Sequence, residues 1–315
     1  MTANRLLIEA PGLAHWLQAP DQMPGCLSRF FSRARATGLQ DDLPIAAALG
    51  LLEIPAAPVC RLARGYDDAF NGYWLRFDPI VLLPDLTAVW IRSRVVMNLD
   101  DDASATLRTE FQQMLQVAGI DWQHQGSGEY GLIQTMDAID CDFLPLDRVI
   151  GRRLDEVLPS GADQTRMRRM LNESQMIFHQ QRALDHPGQQ GMGLWFWGAG
   201  RLSSEPPSIG PVTMSCSQGV DQLSDEWLGL ARWLNIELIE VSEYQVVNGS
   251  SLVDAGLIDS EPRLEALEQR WVQPAWAALA SGRLHELMLI DGDCGWQLGR
   301  FDRWAFWRRM QGNLL

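Results

Sequence analysis

Two carboxylates, Asp291 and Asp293, follow an apolar segment directly, in the run Asp-Gly-Asp-Cys-Gly at 291–295. Open α/β sheets bind their ligands beyond the carboxyl ends of parallel strands, which is where such a pair would lie. The run resembles the start of a calcium loop, but Gly295 occupies the third ligand position and the glycine is out of register. Asp291 and Asp293 are therefore candidate ligand-binding residues, and a plain turn is the alternative.

Two tryptophans alternate along the segment Leu-Trp-Phe-Trp-Gly-Ala-Gly at 194–200. Side chains two residues apart share one face of a strand. Such an aromatic pair either packs in the core or forms a platform for a ligand. We take the tryptophans, the two glycines and the next arginine as candidate ligand-binding residues: Trp195, Trp197, Gly198, Gly200 and Arg201.

Several classes of chemistry are excluded by residue type. The chain has no lysine, so all 26 of its basic residues are arginines. Schiff-base enzymes and Walker-type phosphate loops both need a lysine, and both are excluded. The scattered histidines include no pair with zinc-protease spacing, and no serine lies in a Gly-x-Ser-x-Gly motif. The five cysteines are far apart, which predicts free thiols rather than disulfides or a zinc site.

The composition indicates an acidic globular protein. Its net charge of −14 disfavours nucleic acids and anionic membranes as partners. No apolar run approaches the roughly 20 residues of a membrane helix, and the N-terminus does not resemble a signal peptide, so we expect a cytoplasmic protein. Clusters of arginine leave an anionic small molecule as one expected partner, beside a protein partner or a second copy of the chain.

The hydrophobic pattern predicts an α/β protein with a mostly parallel central sheet. Short apolar strands alternate with amphipathic helices in the second half of the chain, and this alternation is typical of a sheet covered on both faces. We expect one domain over residues 1–315, with an insertion or subdomain at about 55–160. The predicted strands lie at 5–8, 73–75, 88–91, 194–197, 212–215, 236–241 and 284–290, with a hairpin at 120–136, and the helices at 27–36, 45–52, 107–118, 167–178, 223–234 and 264–279.

Four segments together resemble a known family. They are Tyr-Trp-Leu-Arg-Phe-Asp-Pro at 73–79, Leu-Asn-Glu-Ser-Gln-Met at 171–176, the tryptophan segment at 194–200, and Trp-Ala-Phe-Trp-Arg-Arg at 304–309. The set resembles the RpfE-type regulatory proteins of proteobacteria, which are related to archaeal-type cofactor-independent phosphoglycerate mutases. The resemblance implies an alkaline-phosphatase-like α/β/α sandwich. It adds Asp78 and Asn172 to the candidate ligand-binding residues.

The superfamily's catalytic residues do not recur at the matching positions. Its enzymes use two metal ions and a Ser or Thr nucleophile. The resemblance places the first metal-binding Asp in a turn that reads Pro11-Gly12 here, and only His285 follows Gly200 where several His ligands are expected. The sequence therefore predicts no catalytic residue, no metal and no cofactor, and a catalytically degenerate protein with a regulatory or binding role. An enzyme acting on a phosphorylated or other anionic small molecule is the alternative, and a structural scaffold is a third reading.

Overall fold

The structure is a computed structural model that describes residues 4–39, 41–95, 104–120, 130–185, 191–245 and 248–304, of which 181–185 and 303 are described by their backbone only. The chain divides into two compact units. Unit 1 comprises residues 1–53 and 205–315, and unit 2 comprises residues 54–204. Unit 2 begins close to the start of the predicted insertion and extends beyond its predicted end. Each unit contains its own sheet.

Strands and helices both contribute to the two units. The strands in chain order are β1 (Arg5–Glu9), β2 (Arg35–Gly38), β3 (Tyr73–Pro84), β4 (Val89–Arg94), β5 (Gly131–Thr135), β6 (Gly191–Gly200), β7 (Val212–Cys216), β8 (Leu238–Glu240), β9 (Ser250–Asp254), β10 (Glu286–Asp291) and β11 (Cys294–Gly299). The α-helices are α1 (Leu13–Trp16), α2 (Gly25–Phe31), α3 (Pro44–Ala48), α4 (Ala56–Ala63), α5 (Ala105–Val117), α6 (Leu146–Val149), α7 (Leu154–Val157), α8 (Gln164–Asp185), α9 (Asp225–Trp233), α10 (Glu261–Leu267) and α11 (Gln273–Ser281). No helix in the described ranges is long and apolar enough to cross a bilayer.

The sheet of unit 1 has the order β2-β11-β10-β1-β9-β7-β8. The strands from β10 to β8 run parallel, and β11 is antiparallel to both of its neighbours. One face of β1, β9 and β10 packs against side chains of α1, α2, α10 and α11 in a single apolar core. The predicted α/β class with a large, mostly parallel sheet is confirmed, while the alkaline-phosphatase-like sandwich stays a prediction.

The sheet of unit 2 is built around the long strand β3. One edge of β3 pairs with β6, and the other edge pairs first with β5 and then with β4. Because successive side chains alternate, Leu75 and Phe77 enter an apolar core with α5 and α8. The next residues in the alternation, Arg76 and Asp78, lie on the opposite face. The alternation in β3 therefore gives the sheet one apolar face, which packs against α5 and α8, and one face with buried charged residues.

Two predicted boundaries were wrong for identifiable reasons. The helix predicted at 27–36 ends at Phe31, because Arg35–Gly38 pairs with the edge of β11. The strand predicted at 73–75 continues through Pro79 to Pro84, which ends it. A proline lacks an N–H, and Pro79 lies where β3 changes partner from β5 to β4, so few ladder bonds are lost there.

Other parts of the prediction differ in detail. The helix predicted at 264–279 is divided into α10 and α11 by a π-helical turn at Glu268–Val272, just before Pro274. Strand β9 and helix α4 were missed, because Ser250–Asp254 has little apolar periodicity and α4 contains a proline. Of the predicted hairpin, β5 forms one arm but pairs with β3, and residues 121–129 lie outside the described ranges.

Candidate functional site

Three carboxylates end adjacent parallel strands in unit 1. Glu9 is the last residue of β1, Asp254 of β9 and Asp291 of β10. Their side chains do not converge on one point. Glu9 pairs in register with Asp254 and with Ile290, so Asp291 is one residue further along and points to the opposite face.

The Asp291 carboxylate closes the turn between β1 and α1. Its Oδ1 accepts a hydrogen bond from the Gly12 N–H at 3.1 Å, and its Oδ2 accepts one from the Ala14 N–H at 2.7 Å. Gly12 has a φ of 86°, which a residue with a side chain rarely adopts. Burial raises the pKa of Asp291 above its usual range. Asp291 therefore braces the turn between β1 and α1.

The other strand-end acids also bond to the protein's own donors. The indole N–H of Trp227 donates to Glu9 Oε2, and the Gly256 N–H donates to Asp254 Oδ1 at 2.8 Å. Burial raises the pKa of Asp254. Asp293 lies in the two-residue turn between β10 and β11, with Gly292 at a φ of 56°. The run at 291–295 thus contains a β-turn between β10 and β11, as in the second of the two interpretations of this run.

These residues do not fit a two-metal centre. The strand-end acids point to different faces of the sheet, and each accepts a hydrogen bond from a protein donor. In the described ranges, no group of three or more His, Cys, Asp or Glu residues is placed to hold a metal ion. No step of a metal-dependent mechanism can therefore be assigned to them.

A second group of polar residues surrounds Asp78 in unit 2. The Asp78 carboxylate is fully buried. It accepts two hydrogen bonds from Arg76, from Nε at 2.9 Å and from Nη2 at 3.0 Å. Arg94 Nη2 lies 3.0 Å from Oδ1, and the Trp197 indole N–H donates to Oδ2 at 2.6 Å. Two of the predicted candidates, Asp78 and Trp197, thus belong to one hydrogen-bonded group.

Three guanidinium groups gather around the ring of Tyr130. The Cζ atoms of Arg76, Arg64 and Arg94 lie 3.7, 4.1 and 5.9 Å from the ring centroid. Arg76 also stacks on Trp197 at 4.7 Å. A guanidinium group is attracted to the face of an aromatic ring and keeps its charge at every physiological pH. We name this group of six residues the arginine–tyrosine cluster: Arg64, Arg76, Asp78, Arg94, Tyr130 and Trp197.

The sheet topology of unit 2 brings the cluster together. β3 pairs with β5 up to Phe77 and with β4 from Ile80 onwards. Arg94 is the last residue of β4, and Tyr130 directly precedes β5, so both arrive where the two strands meet beside Asp78. The cluster therefore lies at the junction between two strands along one edge of β3.

Four residues of the cluster were not predicted as site residues from the sequence: Arg64, Arg76, Arg94 and Tyr130. One signal was present in β3, where Arg76 and Asp78 alternate with the apolar residues Leu75 and Phe77. Two opposite charges at a spacing of two in such a strand indicate a buried ion pair on one face. The contribution of Arg94 and Tyr130 depends on long-range strand pairing, which the sequence does not reveal.

The remaining candidates of the tryptophan segment have structural contacts. Trp195 is buried on the same face as Asp78, and its indole N–H donates to the Leu144 carbonyl at 2.9 Å. Gly198 has a φ of 67°, and a Cβ there would lie 2.9 Å from Ala56 Cβ. A Cβ at Gly200 would lie 2.6 Å from Pro55 Cβ. The two glycines thus let the start of α4 approach the end of β6.

The other predicted residues lie apart from the cluster. Arg201 is exposed, and its Nη2 lies 3.4 Å from the Met136 carbonyl oxygen. Asn172 is exposed on α8, which packs against the opposite face of the sheet through Met167 and Phe178. Asp291 and Asp293 belong to unit 1. The structure therefore unites Asp78, Trp195 and Trp197 on one face and leaves the other candidates elsewhere.

Comparisons with known proteins give little similarity. No protein-family profile and no curated protein matches the chain. A solved structure titled cofactor-independent phosphoglycerate mutase, from Thermoplasma acidophilum DSM 1728, has a TM-score of 0.32 and 12% identity over 94% of this chain and 89% of that chain. The PH0037 protein from Pyrococcus horikoshii has a TM-score of 0.40 and 11% identity over 95% of this chain and 88% of that chain. These similarities are too low to assign a fold family or a function.

Proposed function

We propose that this chain is a catalytically degenerate relative of the phosphoglycerate mutases that acts by binding, in a regulatory role. The regulatory part of the proposal comes from the resemblance of four sequence segments to the RpfE-type proteins. The binding part comes from the chemistry of the side chains in the two units. The proposal assigns no catalytic residue to the chain.

One observation carries the proposal: Asp291 accepts the Gly12 and Ala14 N–H groups with its two oxygens. Asp291 braces the turn after β1 with both of its carboxylate oxygens, at the edge where open α/β sheets bind their ligands. The neighbouring acids Glu9 and Asp254 are likewise bonded to a tryptophan and to a backbone N–H. We therefore assign these three carboxylates a role in stabilising the fold.

A second candidate function is an enzyme acting on a phosphorylated or other anionic small molecule. One observation favours it. Asp254 and Asp291 have raised pKa values because they are buried, and both end parallel strands. Acids with raised pKa values at this edge of an α/β sheet suit general acid catalysis.

Metal content and turnover, measured on the same protein, test the two functions. We expect substoichiometric metal by elemental analysis, and no hydrolysis of a generic aryl phosphate above background with added manganese or zinc. Stoichiometric metal and metal-dependent turnover would contradict the proposal. In that case Asp291→Asn should abolish turnover while Asp221→Asn, at an exposed acid of unit 1, should not. Loss of turnover in the first variant alone, with its fold kept by circular dichroism, would support the enzyme.

A further inference from the structure

We infer that the groove between helices α5 and α8 of unit 2 is the surface through which two copies of this chain form a reversible dimer with two-fold symmetry. This association goes beyond the proposed binding role and does not depend on it. Three features of the groove support a second copy as its occupant: its position on the two helices, the side chains that line it, and their charge.

The groove lies on the outer side of two packed helices. α5 and α8 contact each other through Phe111 and Phe178, whose ring centroids are 5.1 Å apart in the apolar core of unit 2. Outside this contact the helices leave a groove of about 310 Å³. Each helix contributes four lining residues at the spacing i, i+3, i+4 and i+7, which places them on one helical face. They are Glu110, Gln113, Met114 and Val117 of α5, and Glu173, Met176, Ile177 and Gln180 of α8.

Two large apolar side chains of the groove are exposed to solvent. Val117 is 74% exposed and Met176 is 57% exposed. On α8, Met176 and Ile177 lie between Glu173 and Gln180, so that an apolar centre has a polar residue at each end. Protein interfaces commonly combine an apolar centre with a polar rim, and methionine is enriched in them. The groove therefore has the composition of a protein contact surface.

The charge of the groove favours a second copy over a strongly charged partner. Glu173 is paired with Arg169, whose Nε lies 2.6 Å from Oε1, so Glu110 is the remaining charged residue among the eight that line the groove. Two copies with a net charge of −14 each repel one another, and the repulsion is weakest where charges are few and compensated. Because Arg169 and Glu110 have opposite signs, the border of the groove can also complement its own copy.

The uncharged polar side chains of the groove are complementary to themselves. Gln113 and Gln180 each carry an amide group that both donates and accepts hydrogen bonds. Two-fold symmetry presents the same patch from both copies, so the amide donors of one copy can meet the amide acceptors of the other. A second copy therefore satisfies these groups without a partner of different sequence.

The size of the groove predicts a weak dimer. The eight residues that line it are fewer than the roughly 20–30 residues that each partner contributes to a standard interface. Exposed neighbours on the same helices, such as Gln116 and Asn172, would widen the contact. Interfaces below the standard size are typical of transient complexes. We therefore expect a dimer that exchanges with the monomer rather than an obligate dimer.

Sedimentation velocity of the full chain from about 1 μM to about 500 μM tests the inference, in about 0.15 M salt to screen the net charge. We expect the average mass to rise with concentration from that of one chain towards that of two. Met176→Glu and Val117→Glu should each raise the dimer dissociation constant about tenfold or more, because a two-fold contact buries the new carboxylate twice. The matched control is Met136→Glu, at a methionine of unit 2 that is 92% exposed and outside the groove, which should change the constant less than about twofold.

The outcomes separate the occupants that such a groove could hold. Both groove positions are exposed, so we expect the variants to fold as the wild type does, which circular dichroism checks. A chain that stays monomeric at every concentration would overturn the inference and leave the groove to a different protein. A dissociation constant that is unchanged in either folded groove variant, or raised equally by Met136→Glu, would also overturn it, because the contact would then lie elsewhere.

Discussion

Asp78 accepts hydrogen bonds from Arg76 and Trp197 and forms an ion pair with Arg94, although no part of it reaches solvent. A buried carboxylate is tolerated only when its charge is compensated and its oxygens are bonded. Removing such a partner leaves an uncompensated charge behind. The cluster is thus a structural element of unit 2.

Asp78→Asn should therefore destabilise the protein strongly. The change leaves the buried guanidinium of Arg76 without its carboxylate, and we expect the free energy of unfolding to fall by about 3 kcal/mol. Urea denaturation measures the loss. Asp155→Asn is the control, because Asp155 pairs with Arg153 at an exposed position and its loss should have little effect. Equal stability of wild type and Asp78→Asn would show that the ion pair contributes nothing.

Asp254 makes stability depend on pH. Burial raises its folded pKa above the value of 3.8 in the unfolded chain, so its contribution is fully present below that value and is lost as the pH rises through the folded pKa. Asp254→Asn stays neutral and keeps an acceptor for the Gly256 N–H. The variant should gain stability relative to wild type as the pH rises above about 4, as measured by urea denaturation.

Asp85 provides a control of opposite sign. Hydrogen bonds from the Thr87 N–H, and then from the Trp90 indole, lower its pKa to about 2. Its contribution is present above the unfolded value and is lost as the pH falls through the folded pKa. Asp85→Asn should therefore lose stability relative to wild type as the pH rises from about 2 to about 4. The same sign in both variants would contradict the burial argument for Asp254.

At the scale of elements, Gly198 allows β6 and α4 to pack closely. Gly198→Ala combines a left-handed φ with a contact against Ala56, whereas Gly151→Ala has a left-handed φ and open space around the Cβ. We expect the control to cost about 1 kcal/mol. The Gly198 variant should cost about 2 kcal/mol more, because the backbone of α4 must move. Equal thermal stability of the two variants would show that α4 moves aside freely.

The sequence predicted elements well where local periodicity was strong. The amphipathic pattern around Met167 and Phe178 located α8, and the apolar run Leu6-Leu7-Ile8 located β1. It failed where tertiary pairing decided the outcome, as for Arg35–Gly38, which forms a strand only because β11 offers an edge. The candidate site was likewise predicted only in part from the sequence. Asp78 was found through the resemblance and Trp197 through the spacing of the tryptophans, but Arg94 and Tyr130 come from segments distant in the sequence.

At the scale of the whole molecule, the absence of lysine leaves arginine as the basic residue of every ion pair that the side chains of Lys or Arg could form. Arg76 on Asp78 and Arg153 on Asp155 each donate through two guanidinium nitrogens to two carboxylate oxygens. A lysine ammonium is a point charge and cannot reproduce this planar, two-bond geometry. Arg76→Lys should therefore destabilise the protein, as measured by urea denaturation, although the charge is kept.

The position of β3 has a consequence for amide hydrogen exchange. Strand β3 (Tyr73–Pro84) is hydrogen-bonded to β6 along one edge and to β5 and β4 along the other. Its backbone N–H groups, which point alternately to the two edges, therefore have a neighbouring strand along much of the length of β3. A proton in such a strand exchanges with solvent only when several neighbours open together. Within unit 2, the amides of β3 should be among the last to exchange, and those beside the junction near Asp78 should exchange earlier than the rest of that strand.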